Sequence, residues 1–213
     1  VVGGESTGKS SLAAALGARL PGVVVSEVLR AWIDQRQGRV PLPHEQAAVM
    51  VTHRESEVTA LQQADRAGSA WVISDGGPLM TAMYSLQYYN DASLLPFALE
   101  WTAQSRAVVW CQDDFPWQPD PQRDGEHART TSQQILAAIF AEHPLLPLLA
   151  VHGSLDERVA TVATAVVRAS GGPPTPKGPI GLTGRRVRIR RLAATGSSAI
   201  VSFSSSQPDG SRS

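Results

Sequence analysis

Apolar positions recur at helical spacing over residues 9–20, where Leu12, Ala15, Leu16 and Leu20 share one side, and that period predicts a helix. Pro21-Gly22 ends it, and the β-branched run at 22–26 predicts a short buried strand. The same alternation continues along the chain. Residues 44–67 read as a long amphipathic helix, 69–74 as a strand that ends at Asp75, and 78–89 and 93–104 as helices. A strand over 107–112, a helix over 132–141, a strand over 148–152 and a helix over 156–169 complete the pattern. Val1-Val2 reads as the end of a further apolar strand that runs straight into a glycine-rich loop, and the expectation is that the sequence starts inside that strand. Strands alternating with helices predict an α/β fold: a three-layer sandwich around a mostly parallel five-stranded sheet.

Two stretches break the pattern. Residues 113–130, DDFPWQPDPQRDGEHART, are rich in Pro, Asp and Arg without periodicity; a loop of that length inside a domain is usually functional or disordered. From Ser170 onward Gly, Pro, Ser and Arg dominate, with RRVRIRR at 185–191. The chain is therefore expected to consist of one domain over 1–170 and a basic, poorly ordered tail over 171–213.

Charge sharpens that division. The formal net charge is zero, yet residues 1–170 carry 12 basic and 18 acidic side chains and residues 171–213 carry 7 and 1. An acidic domain is not a natural nucleic-acid surface. No apolar run approaches the roughly 18 to 20 residues needed to span a bilayer, no secretory leader opens the sequence, and the single cysteine, Cys111, can form no internal disulfide. A cytoplasmic protein without membrane contact is expected.

Only two of the 19 basic residues are lysines, Lys9 and Lys177, and Lys9 falls inside G-x-x-x-x-G-K-S, residues 3–10. Phosphate binding needs this pattern: glycines turn backbone N–H groups toward phosphate oxygens, a lysine reaches the β- and γ-oxygens, and a hydroxyl ligates magnesium. Gly3, Gly4, Glu5, Ser6, Thr7, Gly8, Lys9, Ser10 and Ser11 form the candidate site for ATP, with Mg²⁺ on Ser10. A carboxylate at the end of a neighbouring strand should serve that metal. Asp75 is placed to do so, or else to cap the helix after it. Asp113 and Asp114 end the next strand at the same edge, as ligands or as turn residues.

The acceptor side is less determined. Glu27 and Arg30, three residues apart after the second strand, either bind a substrate's hydroxyls and phosphate or pair with each other. In the long loop, Arg123 and Arg129 are candidates to neutralise charge on a transferred phosphoryl group. Trp117 is either a platform for a flat ring or a pin that holds the loop down.

Taken together, GGESTGKSSLA at 3–13, SEVLR at 26–30, SDGGPLMTAMYS at 74–85 and DDFPWQPDPQRDGEHAR at 113–129 resemble the AAA-type P-loop domain of the NadR family. That family is known for ribosylnicotinamide kinase domains, which phosphorylate nicotinamide riboside to the mononucleotide. The resemblance implies that Lys9 and Ser10 hold phosphates and Mg²⁺, and that Asp75 serves the metal or the attacking hydroxyl. It further implies an acidic and basic pair at Glu27 and Arg30, a substrate-side Tyr84, and a lid containing Trp117, Asp120 and Arg123. Gly76-Gly77 stand where members often have hydroxyl residues. Members often carry an adenylyltransferase domain ahead of this one, so such a domain is an expected partner within a full-length protein.

Overall fold

The computed structural model describes residues 1–114, 116–117 and 125–169. Asp120, Arg123 and the tail expected over 171–213 lie outside the described residues. Along the chain, helix α1 (Lys9–Arg19) leads to β1 (Val23–Val25), α2 (Val28–Asp34), a 3₁₀ turn (Pro43–Glu45) and the long α3 (Gln46–Ala67). Then follow β2 (Val72–Ser74), α4 (Gly77–Tyr89), α5 (Leu95–Thr102), β3 (Val108–Cys111), α6 (Glu126–Glu142), β4 (Leu148–Val151) and α7 (Leu155–Ala169). Two of these depart from the sequence expectation. Residues 28–34 form a helix that the sequence pattern did not predict, and α6 starts six residues before the predicted 132, which puts Arg129 on a helix instead of in the loop.

The expected five-stranded sheet is not what forms. Two parallel two-stranded sheets are present among the described residues, β1 with β2 and β3 with β4. Ahead of the glycine-rich loop, Val2 makes one isolated parallel bridge, to Trp110. Val1 and Val2 nevertheless hydrogen-bond to both sheets. Val2 donates to the Val109 carbonyl and accepts from the Cys111 amide, and the Val1 carbonyl accepts from the Gly76 amide at 2.8 Å.

Side chains alternate across the strands with period two. Along β3, Val108 and Trp110 pack into one apolar cluster with Leu79, Met80, Met83, Leu136 and Phe140. Val109 and Cys111 point the other way, into a cluster with Leu12, Leu16, Ile73, Val151, Val162 and Val166. Helices α4 and α6 thus cover one face and α1 and α7 the other, which is the layered arrangement that parallel strands require. Each fully buried leucine in these clusters contributes about 2 kcal/mol. No helix among the described residues is long and apolar enough to cross a membrane.

Candidate phosphate-binding site

The strand edge at Val2 delivers the chain into the loop 3–8, and α1 begins immediately after it at Lys9. Gly8 caps that helix at φ 79°, a left-handed conformation that glycine adopts without strain. The loop is packed against the protein on its outer side. A Cβ on Gly3 would stand 2.8 Å from the Cys111 carbonyl, and one on Gly4 2.8 Å from the Arg129 carbonyl. Inside the loop, the Gly4 carbonyl accepts from Thr7 Oγ1 at 2.8 Å and from Lys9 Nζ at 2.7 Å. Lys9 is buried, while Ser10 and Ser11 are exposed at the mouth. Amides at a helix start, a buried ammonium and free hydroxyls form a surface complementary to an anion.

One cavity of about 440 Å³ opens on this loop, within the range of small-molecule sites. Residues 5–11 line one end, and Glu27, Leu29, Arg30, Ile33, Val40, Pro41, Gln46, Tyr84, Tyr88 and Tyr89 line the rest. The folding of α2 and α4 toward α1 thus brings Glu27, Arg30 and Tyr84 together with the loop. Glu27 and Arg30 also pair with each other, Nε to Oε2 at 3.8 Å, with Arg30 half exposed. The sequence offered no sign of Tyr88, Tyr89, Leu29 or Ile33 beyond the four-residue spacing of Leu29 and Ile33 and of Tyr84 and Tyr88. Tyr89 Oη donates to the Pro41 carbonyl at 2.5 Å, which ties the end of α4 to the segment beneath the cavity.

The Tyr84 hydroxyl is held well above its ordinary pKa, chiefly by burial and then by the charges of Glu27, Glu5, Tyr88 and Asp75. It is therefore a neutral donor throughout the physiological range, within electrostatic reach of three carboxylates.

Asp75 is 4% exposed. Its amide continues the pairing of β1 and β2 through the Val25 carbonyl at 2.8 Å. It does not cap α4, whose N-cap is Gly76 with no side-chain hydrogen bond. Its Oδ1 is buried without a hydrogen-bond partner among the described residues. Such an oxygen suits a hard cation such as Mg²⁺. No group of three or more His, Cys, Asp or Glu able to hold a metal exists among the described residues.

Asp75 is not among the residues that line the cavity, and other candidates also fall outside it. Trp117 is half buried with its Nε1 shielded and unpartnered among the described residues, and it does not line the cavity. Arg129 is buried on α6, pairs with Glu126 at 3.1 Å, and meets the loop through its backbone. Asp114 is a turn residue: it pairs with Arg158 and accepts from the Gly153 amide.

A parallel α/β core with a glycine loop feeding a helix and a carboxylate at the neighbouring strand end defines a P-loop nucleotide-binding protein. Residues 1–158 match the family described as AAA domain, and the chain belongs to that family. No curated protein matches the sequence.

Proposed function

We propose that the chain is an ATP-dependent small-molecule kinase of the cytoplasm that phosphorylates nicotinamide riboside to nicotinamide mononucleotide. The observation that carries this reading is the shared cavity, which joins the phosphate loop to Glu27, Arg30 and three tyrosines. A simple nucleotide switch has no need of a second, aromatic-walled end. The acceptor's pyridinium ring is flat and cationic, and it suits tyrosine faces with a carboxylate nearby.

Chemically, the acceptor's ribose hydroxyl attacks the γ-phosphorus. A P–O bond forms to that hydroxyl, the bond to the β-phosphate oxygen breaks, ADP departs, and the hydroxyl proton passes to a carboxylate or to water. Glu27, on the cavity wall, is the residue to orient the hydroxyl and receive its proton. Lys9 and the loop amides bind the phosphates and offset charge as the bond breaks. Ser10 and Asp75 are the residues that would hold Mg²⁺, which supplies further charge neutralisation. Tyr84 donates to an acceptor oxygen, and holding both reactants in one cavity supplies the proximity.

The test is release of ADP from Mg-ATP with and without nicotinamide riboside, beside a panel of nucleosides and the Lys9→Ala variant. Stimulation by nicotinamide riboside that disappears in the variant is expected. Stimulation by another nucleoside alone would replace the acceptor, and release indifferent to every acceptor would replace the kinase by a regulatory ATPase.

A further inference from the structure

Arg158, on the first turns of α7, is 0% exposed and among the described residues is the largest side chain so completely shielded. Its guanidinium is surrounded by oxygen. Nη1 donates to the Thr7 carbonyl at 2.8 Å, Nε to the Gly153 carbonyl at 2.9 Å and Nη2 to the Gln112 carbonyl at 3.2 Å, and Nη2 also pairs with Asp114. A fully shielded guanidinium whose carboxylate partner stays exposed, as Asp114 does, stabilises a fold no better than well-packed hydrocarbon of the same volume. What hydrocarbon cannot do is fix the direction of a carbonyl. The Thr7–Gly8 peptide is trans, so its C=O and N–H point in opposite directions. Holding the Thr7 oxygen toward α7 turns the Gly8 amide away from that helix, and Gly8 lines the cavity.

The start of the loop is held in a similar way. Gln133, buried on α6, accepts at Oε1 from the Gly4 amide at 3.2 Å and from Trp110 Nε1 at 2.8 Å. Its Nε2 donates to the Cys111 carbonyl at 3.0 Å. Both side chains sit more than a hundred residues from the loop, and both bind its backbone.

We infer that Arg158 and Gln133 are positioning residues, a two-point clamp that presets the peptide planes of loop 3–8 for phosphate oxygens. The inference rests on the phosphate half of the proposed function and not on the acceptor.

The experiment is titration of the full chain with Mg-ADP carrying a fluorescent ribose label, together with thermal unfolding. Lysine keeps the charge but not the planar fork that reaches several acceptors, so Arg158→Lys should bind at least tenfold more weakly. Gln133→Met, which fills the same space without the hydrogen bonds, should lose at least fivefold. Ile139→Ala, in the core of α6 away from the loop, should lower Tm while affinity stays within twofold of wild type. Should Arg158→Lys not unfold cooperatively, Gln133→Met decides. A folded clamp variant that binds as wild type overturns the inference, as does Ile139→Ala weakening binding as much as the clamp variants at the same loss of Tm. Wild type that binds no Mg-ADP would sink the phosphate site itself, whereas failure of every acceptor would leave the clamp test intact.

Discussion

The position that a Cβ on Gly4 would occupy lies 2.8 Å from the carbonyl oxygen of Arg129. That oxygen belongs to the backbone of α6, which is anchored in the core through Leu136 and Phe140, so it cannot swing aside as a side chain could. The helix therefore sets how far out the phosphate loop can sit, and the absence of a side chain at residue 4 is what lets the two backbones meet. Gly4→Ala should displace the loop, weakening Mg-ADP binding at least tenfold in a titration. An affinity equal to wild type would show that the loop has room to spare.

Asp75 invites a trade between stability and activity. Its buried Oδ1 lacks a hydrogen-bond partner among the described residues, and a buried carboxylate left short of partners costs stability. Asp75→Asn is expected to raise Tm by about 2 to 4 °C, the equivalent of roughly 1 kcal/mol in a domain of this size. At the same time the magnesium concentration giving half-maximal activity should rise about tenfold or more. A Tm that falls, with magnesium demand unchanged, would assign Asp75 to the fold alone.

Tyr88 lines the cavity while 44% exposed, and its ring centroid lies 6.1 Å from that of Tyr84. An exposed ring contributes little to the core, so Tyr88→Ala should leave Tm within a degree or two. Losing a ring face against a cationic acceptor should raise the acceptor KM by about five- to thirtyfold, corresponding to about 1 to 2 kcal/mol, with the KM for ATP unaffected. Equal change in both constants would place the acceptor elsewhere.

His53 is 2% exposed, with Nε2 3.1 Å from Ser74 Oγ and 3.8 Å from Glu57 Oε1, and burial pulls its pKa down from 6.5 to about 4. At neutral pH it is therefore uncharged and makes no ion pair with Glu57. The unfolded chain binds a proton near 6.5 and the folded one only near 4, so this group's contribution is complete above pH 6.5. It is lost as pH falls from there toward 4, on the order of 3 kcal/mol at the limit. Urea unfolding between pH 4.5 and 7.5 should show a steeper acid decline in wild type than in His53→Gln. Parallel curves would mean that His53 is free to protonate in the fold.

Much of the site was legible because phosphate chemistry allows few substitutes. Gly8, Lys9 and Ser10 announce themselves through a spacing that the local turn and helix dictate, and the strand that ends at Asp75 is visible as an apolar run closed by a carboxylate. Gly76 and Gly77 were less readable. They register in the sequence only as an absence of hydroxyls, whereas the structure shows both at positive φ, 89° and 66°, where a side chain would be strained. Arg129 was misplaced because helix α6 starts inside a stretch whose prolines and aspartates hide its first two turns.

By itself, then, the sequence determined the order of strands and helices apart from α2, the phosphate loop and its lysine, because these follow from local periodicity and from turns that particular residues must make. The tertiary structure alone decided the rest: the split of the strands into two sheets hydrogen-bonded to Val1 and Val2, the tyrosine wall opposite the loop, and the grip of Arg158 and Gln133 on its backbone. Those features join residues far apart in the chain, through carbonyl oxygens and side-chain faces that every sequence possesses. No residue type signals such a contact until packing of the two helical layers brings its partners within hydrogen-bond distance.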